Sequence, residues 1–151
     1  MATTAADPLA LERQVCFALA VASRTVIAAY RPVLEPYRLT HPQYLVMLAL
    51  WQHEPLSIRR LAELLSLEPA TVSPLVKRLE AIGYVSRTRS REDERSLDVA
   101  LTSTGRALRS KATTIPGTMM KRLGITPDEL TELHRAMSTL IAAAKKATAA
   151  G

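Results

Sequence analysis

The chain of 151 residues holds one cysteine, Cys16, which excludes an internal disulfide and any site built on paired cysteines. A lone thiol suits a reducing compartment. Aromatics are scarce at 4%, with one Trp and one Phe, so Leu, Val, Ile and Ala must fill the core, a composition that favours helices. Acids are outnumbered: 14 Asp and Glu face 20 Lys and Arg, and the net charge of +6 suits a polyanionic partner. The opening MATTAADPLALERQ lacks the pattern of a signal peptide, and the apolar run LVMLALW is too short to span a membrane. The expectation is a cytoplasmic protein with no membrane partner. His53 and His134 are isolated, and no glycine-rich loop or metal-ligand cluster is visible. No enzyme activity, metal or cofactor is expected.

What is present is a regular succession of helix signals. Asp7-Pro8 reads as an N-cap and first helical residue, opening a long, Ala-rich helix that stops near Pro32 and Pro36. That helix is apolar nearly all round, which implies burial against a partner subunit. Thr40 and Gln43 have capping-box spacing and open a second helix; Ser57 caps a third, IRRLAELL. After a turn at Ser66-Leu67-Glu68, a fourth helix begins at Pro69 and ends at Gly83. The period then changes to two: YVSRTRSR, and later Leu97, Val99 and Leu101, flank a charged loop and predict a β-hairpin with a long, open turn. Thr102 caps a further helix with a break at Pro116-Gly117, and Thr126 with Glu129 caps the last. The final helix carries Leu130, Leu133, Met137, Leu140, Ile141 and Ala144 on one stripe, and its tail KKATAAG should fray.

This order predicts a mainly α protein with a small β-hairpin wing, that is, a winged helix-turn-helix carrying long N- and C-terminal dimerisation helices. The expected regions are residues 1–39 for the sensor and dimerisation helix, 40–102 for the DNA-binding region, and 103–151 for the C-terminal dimerisation helices. On the fourth helix Val72, Leu75, Val76, Leu79 and Ile82 repeat every three or four residues as the core face. The opposite face carries Ala70, Thr71, Ser73, Pro74, Lys77 and Arg78. Small and hydroxyl residues let a helix sit deep in a major groove, and Lys77 and Arg78 one turn on reach phosphates. Pro74 removes one helical hydrogen bond and predicts a local bend. Arg87, Arg89 and Arg91 alternate along the first hairpin strand with no acid between them, and Arg95 lies past the tip. Such a wing suits the minor groove. Asp93 is placed to orient the Arg95 guanidinium as a bidentate pair. Taken alone, each feature also fits a solvated charged surface; the helix-turn-helix directly upstream favours double-stranded DNA.

The run VKRLEAIGYVSRTRSREDERSLDVALTSTGRAL resembles the MarR family, homodimeric regulators with interlocked terminal helices whose wing carries an Asp-x-Arg pair, here Asp93 and Arg95. The N-terminal half, VCFALAVASRTVIAAYRPVLEPYRLTHPQYLVMLALW, is similar to that family's organic-hydroperoxide-sensing branch, in which a cysteine at the position of Cys16 is oxidised and the regulator leaves its operator. The resemblance implies that Tyr30 reaches the cysteine of the other subunit. Spacing agrees. Tyr30 follows Cys16 by fourteen residues on the same helix face, about 21 Å along the axis, so the two cannot meet within one straight helix. Two tyrosines usual in that branch are absent, replaced by Ala20 and His41, so Tyr37 or the His41 imidazole is a substitute donor.

Peroxide attack needs a thiolate, and with Cys16 expected about two turns inside its helix, little help from the helix dipole is anticipated. Arg13, one turn earlier, is a candidate neighbour. The expected modifiers are an organic hydroperoxide and, with no second cysteine in the chain, a low-molecular-weight thiol. Read without the resemblance, Cys16 is a small buried hydrophobe. Three rivals stand beside a peroxide-released repressor: one released by a small aromatic ligand, a thiol peroxidase using Cys16 and His41, and an architectural DNA protein.

Overall fold

A computed structural model of the chain describes residues 7–151. Its compact units divide between Thr113 and Thr114.

The first helix begins later than Asp7 predicts. The Asp7 carboxylate accepts the Leu9 N–H (2.9 Å), a 3-10 turn follows at Leu11–Arg13, and Gln14 is extended. The Gln14 side-chain amide donates to the Pro8 and Ala10 carbonyls and holds this turn together. Helix α1 is therefore Val15–Leu34 and carries Pro32 in its last turn. Only Leu34 of α1 is buried, while Val15, Phe17, Val26 and Ile27 are exposed. The segment Val15–Tyr37, 23 residues, is long and apolar enough by length and composition to cross a membrane, which corrects the expectation that no stretch reaches that length. Ser23, Arg24 and Thr25 interrupt its apolar run, but the Val, Ile, Leu and Ala on either side outweigh them over the whole segment.

A 3-10 turn, Glu35–Tyr37, closes α1, and Arg38 in the left-handed region (φ 59°) redirects the chain. The Thr40–Gln43 capping box opens α2 (His41–His53) as predicted, with Pro42 in the first turn. The short strand β1 (Leu56–Ser57) leads into α3 (Ile58–Leu65), capped by the Ser57 hydroxyl on the Arg60 N–H (3.0 Å). Ser66 (φ 54°) makes the turn to α4 (Pro69–Ile82), which Gly83 (φ 96°) ends. The wing is β2 (Val85–Arg89) and β3 (Leu97–Leu101), antiparallel, with Val85 opposite Leu101 and Arg87 opposite Val99. Strand β1 pairs with the far edge of β3, an addition too short to show as a periodic run in the sequence. Leu34, Met47, Leu50, Leu61, Val72, Val76, Leu79, Val85 and Val99 form the core, so the helix-turn-helix and the base of the wing share one apolar centre.

Thr102 caps α5 (Ser103–Ala112) through the Gly105 N–H and donates its own hydroxyl to the Gly83 carbonyl (2.6 Å). Glycine in a helix ordinarily costs about 0.5–1 kcal/mol against alanine. Here a Cβ on Gly105 would collide with the backbone carbonyl of Tyr84. Gly105→Ala is therefore expected to lower stability by about 1–3 kcal/mol, the usual cost of overpacking, as a fall in urea midpoint. A raised midpoint would contradict the contact.

In the second unit α6 (Ile115–Leu123) places Pro116 in its first turn, so the helix break falls at Thr113–Thr114, just before the proline that predicts it. Gly124 (φ 64°) stops α6, and the predicted Thr126–Glu129 capping box starts α7 (Pro127–Ala150). Helix α7 continues through the tail expected to fray. Its stripe of Leu130, Leu133, Met137 and Ile141 is exposed, and Leu140 is half-buried.

Candidate DNA interface and redox site

Helix α4 separates its faces cleanly. Val72, Val76 and Leu79 are fully buried, while Leu75 and Ile82 lie at the margin. Ala70, Thr71, Ser73, Pro74, Lys77 and Arg78 are all exposed. The helix runs through Pro74 to Ile82.

The wing departs from its predicted chemistry in three places. Arg87 is not a free cation. It shares the β2 face that opposes Val99 and Leu101, the side turned to α4, and there the Glu80 carboxylate takes its guanidinium (2.9 and 3.2 Å) and its backbone N–H (3.2 Å). The guanidinium hydrogen bond and charge hold the Glu80 carboxyl below the usual carboxylate range, against some burial. The acid missing between the arginines in sequence comes from the preceding helix. Next, β2 ends at Arg89, so Arg91 stands in the loop and not on the strand face. Lastly, Asp93 does not pair with the Arg95 guanidinium; its carboxylate accepts the Arg95 backbone N–H (3.0 Å), a side-chain turn at the tip. Ser90 N–H to the Ser96 carbonyl and Ser96 N–H to the Asp93 carbonyl (both 3.0 Å) close the loop. Arg89, Arg91 and Arg95 are exposed. Among the described residues, these three, Lys77 and Arg78 enter no ion pair.

Cys16 is the second residue of α1 and is exposed, which corrects the expectation of two turns of depth. First-turn N–H groups lack helical partners and favour negative charge beside them. No hydrogen bond within the described residues joins Cys16 to Tyr30, Tyr37 or His41. Those three divide. Tyr30 and His41 meet as tilted rings (57°) with centroids 4.9 Å apart, and Tyr44 completes the cluster at 5.9 Å from Tyr30 and 6.5 Å from His41. Tyr37 instead donates its hydroxyl to the Lys111 carbonyl (3.4 Å). Tyr44 escapes a reading of sequence alone, although its place one turn after His41 on α2 is the signal that would find it.

Burial raises the Tyr30 and Tyr44 hydroxyls above their ordinary range, the second helped by repulsion from the first, and both stay protonated donors. Burial lowers His41, keeping its imidazole neutral near pH 7. The unfolded chain then takes up a proton at higher pH than the folded one does. His41 thus favours folding above about pH 6.5, and that contribution is lost as pH falls toward its lowered value. His41→Gln should flatten the decline of urea midpoint below that point; an unchanged decline would exclude His41 as its source.

The MarR family's sequence profile matches residues 39–97. The chain is 41% identical over 135 residues to the organic hydroperoxide resistance transcriptional regulator of Bacillus subtilis strain 168, covering 89% of this chain and 92% of that one. It is 36% identical over 123 residues to the transcriptional regulator SarZ of Staphylococcus aureus strain USA300, covering 82% and 83%. Among solved structures, overoxidised AbfR bound to DNA superposes with a TM-score of 0.72 at 29% identity, over 87% of this chain and 92% of that one. A MarR family regulator from Rhodococcus sp. RHA1 gives 0.77 at 26% identity, over 87% and 95%.

Proposed function

On the premise that this chain belongs to the MarR family of DNA-binding transcriptional regulators, we propose that it is a homodimeric cytoplasmic repressor that releases its operator when an organic hydroperoxide oxidises Cys16. The observation that carries this reading is the exposed thiol in the first turn of α1, in a chain 41% identical to a hydroperoxide resistance regulator. The sulfur attacks the outer peroxide oxygen; the O–O bond breaks, Cys16 becomes the sulfenic acid and the alkoxide leaves as alcohol after taking a proton. A protonated Tyr30 from the other subunit supplies that proton, and the neutral His41 imidazole donates a hydrogen bond to the departing oxygen. Without a second cysteine, the sulfenic acid goes on to a mixed disulfide with a small thiol, a sulfenamide or a higher oxide.

A second copy accounts for the two apolar surfaces, each considered by itself. Val15, Phe17, Val26 and Ile27 on α1 and Leu130, Leu133, Met137 and Ile141 on α7 are too many to leave in water. Burial in a dimer also explains why a helix apolar enough for a membrane belongs to a DNA-binding protein. At the output end, Thr71, Ser73 and Pro74 face the major groove, Lys77 and Arg78 the phosphates, and Arg89, Arg91 and Arg95 the minor groove. Arg87 and Asp93 shape the wing.

A second reading has one observation behind it: a cavity of about 530 Å³ whose lining includes Ile27, Leu39, His41 and the two cations Arg31 and Arg38 against the single acid Glu35, a balance that suits a small aromatic acid. Titrating the protein–DNA complex with an organic hydroperoxide and, separately, with a phenolic acid decides between them. Release by hydroperoxide, with a mass increase on Cys16, supports the peroxide reading. Release by the acid alone overturns it.

A further inference from the structure

Tyr84 is the single residue between the Gly83 cap of α4 and the first residue of β2, so it joins the recognition helix to the wing. It is held from three sides. Its carbonyl accepts the Thr102 N–H (3.0 Å), and Gly105 lies against the same carbonyl without room for a Cβ. Its side chain is buried, and its hydroxyl donates to the Tyr37 carbonyl at 2.7 Å. Tyr37 belongs to the turn that closes α1, and its own hydroxyl reaches the Lys111 carbonyl late in α5. One part-buried hydrogen bond therefore connects the turn after the N-terminal helix to the junction of the two DNA-reading elements.

We propose that Tyr84 is a positioning residue that couples the setting of the Glu35–Tyr37 turn to the placement of α4 and the wing. The physical reason is the cost of a stranded hydroxyl. If the turn shifts while α4 and β2 stay, the hydroxyl of a buried ring is parted from its acceptor and the hydrogen bond is lost. The turn and the junction consequently move together, and whatever fixes one restrains the other, since coupling between sites is reciprocal. The proposal rests on DNA binding alone and not on peroxide chemistry, so it and the hydroperoxide reading fail separately.

The test is hydrogen exchange at the Arg38 and Leu39 amides, which donate to the Glu35 (2.9 Å) and Leu34 (3.3 Å) carbonyls and report on the turn. Full-length protein is compared free and saturated with the tightest duplex recovered from a random-sequence pool. In the wild type, DNA should slow both amides by about fivefold or more, the low end of ordinary coupling between sites. Tyr84→Phe keeps the ring and removes the hydroxyl. Saturated with the same duplex, it should lose most of the slowing. Tyr37→Phe, which keeps the accepting carbonyl, should retain it. A residue that merely packs would speed exchange equally with and without DNA. An unchanged slowing in Tyr84→Phe, or none in the wild type, overturns the proposal.

Discussion

Cys16→Ser is expected to bind operator as tightly as the wild type in reducing buffer and to stay bound after hydroperoxide treatment, while the wild type loses about 5- to 150-fold in affinity, the usual span of coupling between sites. Reduced affinity should not change, because Cys16 lies exposed at the start of α1, on a different element from the α4 face and wing proposed to meet DNA. The effect on response should be complete, since the chain has no other cysteine to take the oxygen. Cys16→Ala separates chemistry from hydrogen bonding and should behave as the serine variant does. Binding isotherms before and after oxidation, with intact mass measured on the same samples, check this. Oxidant-induced release of the serine variant would remove Cys16 from the sensing role.

The second large effect is expected at the wing tip. Arg95→Ala should weaken specific binding by about 1–3 kcal/mol, as for loss of one good groove contact. Asp93 distinguishes two accounts of its own role. If its carboxylate shapes the turn by accepting the Arg95 N–H, as the 3.0 Å bond indicates, Asp93→Asn keeps an acceptor there and most of the affinity, while Asp93→Ala loses both. If a guanidinium pair mattered instead, the asparagine would fail like the alanine. Salt dependence sorts the remaining cations: Lys77→Ala and Arg89→Ala should each lower the slope of log affinity against log salt by about 0.9. Arg87→Ala should leave that slope nearly unchanged, because Glu80 already balances its charge. A drop of the same size at Arg87 would mean that it leaves Glu80 for a phosphate.

Much of this was legible in the chain because it is local. Thr40 with Gln43, Ser57, Gly83, Thr102 and Thr126 with Glu129 mark helix ends by hydrogen bonds within a few residues, and each marks the end it predicts. The three- and four-residue spacing of Val72, Val76 and Leu79 names the buried face of α4 without reference to anything else. Asp7 shows the limit of such signals: a capping residue favours a helix start but does not by itself make one, and the Gln14 side chain draws the chain into a separate turn.

Composition and helix geometry alone dictate that the chain has one thiol, that any thiol oxidation must fall on it, and that Tyr30 cannot reach it within one helix. Only the tertiary structure decided where that thiol stands, in the first turn of α1, and which groups cluster together: Tyr30, His41 and Tyr44, with Tyr37 turned to Lys111. It also decided that Arg87 is paired with Glu80 and that Tyr84 is bonded to Tyr37. Periodicity and capping depend on neighbours a few bonds away, whereas the partner of a side chain across the fold depends on how separately formed elements pack. No spacing along the chain encodes that.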